Sequence, residues 1–111
     1  MEKILEASKQ ERKQVEKLLK LMRREQGRAR TDRFFCLEGA LMGMANAVED
    51  GLACWNDVEE PERVYGAMQA LRRYVHNSCL KLRHEATWAK KESLGGLHCS
   101  GVLERIRLEA R

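Results

Sequence analysis

The sequence predicts an all-α protein, a helical bundle of three long antiparallel helices and a short fourth. Three observations lead there. Apolar residues recur at spacings of three and four over long stretches, the signature of one helical face. Those stretches are rich in Ala, Leu, Glu, Lys, Arg and Met, the strong helix formers. Pro61 is the single proline, and the regular turn clusters that a β-sandwich needs are missing.

The first helix is expected over about 2–26. Ile4, Ala7, Val15, Leu18, Leu19 and Met22 share its apolar face, and Glu11 and Arg12 interrupt that stripe. The second half is therefore the better core-facing half. Gly27 follows as the expected C-terminal cap. Thr31 or Asp32 is placed to cap the next helix.

The second helix is expected over 32–55. Phe34, Leu37, Leu41, Met44, Val48, Leu52 and Trp55 form a wide face of large residues. Gly39, Gly43, Ala47 and Gly51 recur every four residues as a second, small-residue stripe. Glycine inside a helix costs about 0.5–1 kcal/mol relative to alanine, so several in register call for a reason. Small residues let another helix approach closely. The stripe predicts either close packing within the chain or contact with a second copy in a homodimer. A helix apolar over most of its circumference is also expected to be central and buried.

Pro61 suits a first helical position, with Glu59, Glu60 and Glu62 near the positive helix end. The third helix is expected over 61–92, with Val64, Met68, Leu71, Val75, Cys79, Leu82, Ala86 and Ala89 on its core face. "SLGG" is expected to stop it. A weak final helix over about 102–110 would contribute Val102, Leu103 and Ile106.

Composition bounds the function. The 111 residues are 43% hydrophobic and 34% charged, which fits a single helical domain spanning 1–111. No run is apolar enough to span a bilayer, and the N-terminus has no apolar core for a signal peptide. The four cysteines, Cys36, Cys54, Cys79 and Cys99, follow no disulfide or zinc spacing, and are read as reduced thiols of a cytoplasmic protein. No metal site or cofactor is expected: His98 and Cys99 are adjacent, and His76 and His84 are too far apart along a helix for one ion. The sequence contains no Gly-rich phosphate loop, GxSxG or HExxH. The chain is therefore expected not to be an enzyme.

Charge is segregated. Residues 1–33 carry 11 basic and 6 acidic groups, residues 34–70 carry 1 and 7, and residues 71–111 carry 9 and 4. Arg23, Arg24, Arg28, Arg30 and Arg33 could contact phosphates, but acidic residues interleave them and the net charge is only +4. Away from the core face of the third helix, Trp88 shares a second face with Arg73, Leu80, His84 and Lys91. A Trp amid basic residues fits an interaction surface for an acidic partner. The competing reading is that Leu97, Val102 and Leu103 fold back over it. The expected function is binding of a protein partner to regulate or inhibit it, as an anti-activator or inhibitor-like adaptor, in a homodimer. A basic nucleic-acid-binding helical protein is the alternative.

Overall fold

The computed structural model describes residues 2–56, 60–84 and 94–111, with the side chains of Glu2 and of 94–97 excluded. Four helices make up the described chain: α1 (Glu2–Thr31), α2 (Phe35–Cys54), α3 (Pro61–His84) and α4 (Leu94–Glu109). Among the described residues there is no strand. The bundle is long and flat, 51 × 21 × 15 Å.

Cross-helix contacts fix the directions. Arg23 reaches Asn46 and Glu49, and Arg12 reaches the Trp55 carbonyl, so α1 and α2 run antiparallel. Arg83 pairs with Glu104 while Arg72 reaches the Arg111 carbonyl, so α3 and α4 are antiparallel too. Neighbours in sequence alternate in direction, which places α1 and α3 parallel, joined by Arg72 and Glu11. One core runs between the helices. Val15, Leu18 and Met22 of α1 meet Leu37, Leu41, Met44 and Val48 of α2. Val64, Met68, Val75 and Cys79 of α3 and Val102, Leu103 and Ile106 of α4 complete it.

Several boundaries differ from the sequence expectation. Helix α1 continues through Gly27 to Thr31, and Gly27 is an exposed interior position. The cap falls at Arg33 instead. Arg33 has a left-handed φ of 63°, the Phe34 N–H donates to the Ala29 carbonyl at 2.8 Å, and the Arg33 N–H donates to Arg30 at 3.2 Å. That pair of bonds is a Schellman closure, here built on an arginine. Thr31 does not cap α2; its hydroxyl donates back to the Gly27 carbonyl at 3.1 Å. The N-cap residue of α2 is Phe34, which makes no side-chain capping bond.

Helix α4 begins at Leu94, not at 102, and carries Gly95 and Gly96 within it. Two glycines weaken a helix locally, but burial of Cys99, Val102, Leu103 and Ile106 against the bundle outweighs that propensity. The expected stretch of the third helix beyond His84, with Ala86 and Ala89, lies outside the described residues.

The central helix is also a correction. Helix α2 buries one face, through Leu37, Leu41, Met44, Ala45 and Val48, and leaves the other open. Helices α1 and α3, not α2, are the elements that each pack against all three others.

Candidate interaction surfaces

Most charged groups between helices are spent on each other. Glu25 is only 3% exposed, yet it accepts from Arg28 at 3.2 Å and Arg105 at 3.1 Å. A buried carboxylate needs such partners. On the far side of α4, Glu104 is gripped by Arg107 and Arg83, and Arg107 also meets His76 at 3.1 Å. The hydrogen bond from Arg107, with Arg83 and His76 nearby, holds the Glu104 carboxyl below its ordinary range. The same bond raises Arg107. Beneath this cluster, burial pushes the Cys79 thiol up to about 12, which keeps it protonated. Burial, and then its neighbour Cys36, raise Cys99 as well. Neither is a poised nucleophile. Among the described residues, no group of three or more His, Cys, Asp or Glu side chains could hold a metal ion.

Two of the exposed helix faces bear on the residues singled out in the sequence. The first is the outer face of α3. Arg73 and His84 are exposed, while Leu80 sits half-buried at the edge of that face. Trp88 and Lys91, expected on the same ridge, lie outside the described residues. The structure instead brings out Tyr74, 41% exposed, and Lys81 between Arg73 and His84. The sequence reading missed both. Spacing alone held the signal, since Arg73, Asn77, Lys81 and His84 follow three- and four-residue steps. Arg73 and Lys81 enter none of the ion pairs among the described residues. Arg72 and His76, one step round the helix, line a shallow hollow with Arg73, Gln69 and the C-terminal residues Ala110 and Arg111.

The second open face belongs to α2. Phe35 is 66% exposed and Met42 44%. Between and beside them lie Gly39, Gly43 and Ala47, all exposed. A Cβ built on Gly39 or Gly43 meets nothing within 4 Å. Only Gly51 of the stripe packs inside the chain, where a Cβ would fall 2.6 Å from a Leu71 methyl. The stripe thus splits: one member seats α3 and three face outward.

The arginines of the 23–33 segment split similarly. Arg23 is held by Asn46 and Glu49, and Arg28 by Glu25. Arg24, Arg30 and Arg33 are exposed. No described helix is long and apolar enough to cross a membrane. The chain matches no known family, no curated protein and no solved structure.

Proposed function

We propose that this protein is a non-enzymatic helical adaptor that binds an acidic protein partner and thereby regulates or inhibits it, acting as a homodimer in the cytoplasm. The observation that carries the reading is the outer face of α3. The cationic Arg73 and Lys81 flank the ring of Tyr74, with His84 on the same face and Leu80 at the margin. Arginine and tyrosine are the side chains that dominate protein hot spots, and surplus positive charge speeds capture of an acidic surface. Arg73 and Lys81 enter none of the ion pairs among the described residues, so their charge is available to a partner.

The test is affinity capture from the native host with the wild type and with Arg73→Glu and Lys81→Glu together. Both positions are exposed, so the fold is expected to survive, which circular dichroism verifies. Partner retention is expected to fall at least about tenfold, the scale of a lost hot spot. Equal capture by the two proteins overturns the assignment. Capture that disappears on nuclease treatment, with duplex DNA or RNA binding that weakens steeply with salt, favours the nucleic-acid alternative.

A further inference from the structure

We infer that the open face of α2 pairs with the same face of a second copy, antiparallel, about a two-fold axis midway between Gly43 and Ala47. This rests on the homodimer part of the proposed function and specifies how the copies meet.

Space comes first. Gly39 and Gly43 leave the α2 backbone uncovered, with nothing within 4 Å of a Cβ built there. Phe35 and Met42 stand exposed at the margin. A second helix could approach closely over the glycines while the two large side chains lap its flank. Such a face is self-complementary, as a two-fold interface requires.

Charge selects both the occupant and its direction. Helix α2 contains Glu38, Glu49 and Asp50 and no basic residue. A parallel pair would stack Glu49 on Glu49 and Asp50 on Asp50. An antiparallel pair separates them and offers a complement from this same chain. Arg23 of α1 reaches Glu49. Arg30 stands seven residues further along α1, about two turns, and so on the same side of that helix. It therefore flanks α2 near the level of Gly39 to Met42. A two-fold axis keeps the α1-flanked edges of both copies on one side. Glu49 of each copy then comes level with the exposed Arg30 of the other.

The exposed thiols provide a ruler. Cys36 and Cys54 are both exposed and lie eighteen residues apart, about five whole turns, on one line of α2. They are equidistant from the midpoint of Gly43 and Ala47. In the antiparallel pair, Cys36 of one copy is level with Cys54 of the other, while the two Cys36 residues are about 27 Å apart along the axis. In a parallel pair, Cys36 would face Cys36.

The experiment uses Cys36→Ser and Cys54→Ser, each on the full chain. Light scattering at micromolar concentration should give a dimer mass. Brief oxidation with copper-phenanthroline should cross-link the wild type through Cys36 and Cys54, mapped by mass spectrometry of the peptides. Neither serine variant should cross-link alone, and an equal mixture of the two should. Gly43→Leu should keep its helix content, because the monomer has room for it, and should weaken self-association by at least about tenfold, with any fall in melting temperature confined to concentrations at which the wild type is dimeric. A Cys36–Cys36 cross-link, a dimer with no cross-link, or a dimer indifferent to Gly43→Leu overturns this arrangement and leaves the homodimer and α3 readings in place. A monomeric mass overturns the arrangement and the homodimer together.

Discussion

The guanidinium of Arg72 binds both carboxylate oxygens of Glu11, each at 2.7 Å, and so ties the middle of α3 to the first half of α1. Glu11 is one of the two residues that break the apolar stripe of α1, and this pairing is what it does there. Arg72 extends the tie to the C-terminal Arg111 carbonyl. Three separate parts of the chain thus meet at one guanidinium.

Side-chain exposures of 24% and 14% place the Arg72–Glu11 pair between a surface bridge and a buried one. One nitrogen, Nη1, donates to both oxygens, and partial shelter from solvent raises the value of the pair above the exposed-pair median. Glu11→Ala and Arg72→Ala are each expected to destabilise by about 1–3 kcal/mol. The double variant should lose less than the sum, with a coupling of about 1 kcal/mol or more. Urea denaturation of all four proteins measures the cycle. Strict additivity would show that the pair contributes nothing as a pair.

A second expectation follows from the position of the α1 cap. Gly27 lies inside α1, exposed, with open space around it. Gly27→Ala should stabilise by about 0.5–1 kcal/mol through helix propensity alone. Arg33 occupies the position that favours glycine. Left-handed backbone costs an ordinary residue roughly 1–2 kcal/mol, whereas glycine gives back about 0.4–1 kcal/mol through the freedom it adds to the unfolded chain. The strain outweighs that entropy, so Arg33→Gly should also stabilise, by about 0.5–1 kcal/mol. Calorimetry should show each variant melting roughly 2–5 °C higher. A lower melting temperature for Arg33→Gly would place the cap elsewhere.

Acid should loosen the α3–α4 contact. The Glu104 carboxyl is held below its ordinary value of 4.5, first by the hydrogen bond from Arg107. A carboxyl depressed in the folded state adds stability above its unfolded pKa and loses it as pH falls through the folded one. At neutral pH, Glu104→Gln should therefore melt lower than the wild type. As pH falls below 4.5 the two melting curves should converge, because the wild-type residue becomes neutral as well. Thermal melts of both proteins from pH 7 downward check this. A gap that stays constant through the acid range would mean that packing, not charge, is responsible.

The core was legible in the sequence because periodicity reports burial directly. Leu37, Leu41, Met44 and Val48, and likewise Val64, Met68, Val75 and Cys79, were assigned to core faces by spacing and are buried. Helix ends were not legible, since they depend on cooperation between distant parts. Gly27 offered a local stop that α1 ignores in favour of burying Ala29. Gly95 and Gly96 sit in a helix that exists through its contacts with α1 and α3. His98 adds a contact outside those two helices: its ring stacks on Phe34, at the α1–α2 junction, with centroids 4.9 Å apart, a contact that no local pattern announces. The open faces were half legible. Spacing grouped Gly39, Gly43 and Ala47, but a sequence cannot say that α2 lies at the edge of the bundle rather than at its centre. Nor could it foresee that Tyr74 and Lys81 would stand outward where Leu80 turns partly in.

Gly51 separates the packed part of the small-residue stripe from the exposed part. A Cβ there would sit 2.6 Å from Leu71 Cδ2, 3.1 Å from Cδ1 and 3.4 Å from Cγ. The whole end of the leucine is in the way, so rotating one methyl does not clear the clash. Leu71 also packs against the core, which limits its retreat. Two effects oppose each other in Gly51→Ala. Helix propensity favours alanine by about 0.5–1 kcal/mol, and overpacking costs about 1–3 kcal/mol. Overpacking outweighs propensity, so Gly51→Ala should destabilise where Gly27→Ala stabilises, although both are glycine-to-alanine changes in helices. Adding Leu71→Val to Gly51→Ala should recover part of the loss, because the shorter side chain vacates the contested space. Urea midpoints of Gly27→Ala, Gly51→Ala and Gly51→Ala with Leu71→Val decide the matter. A stabilised Gly51→Ala would mean that the half-buried Leu71 side chain swings clear of the new methyl at little cost.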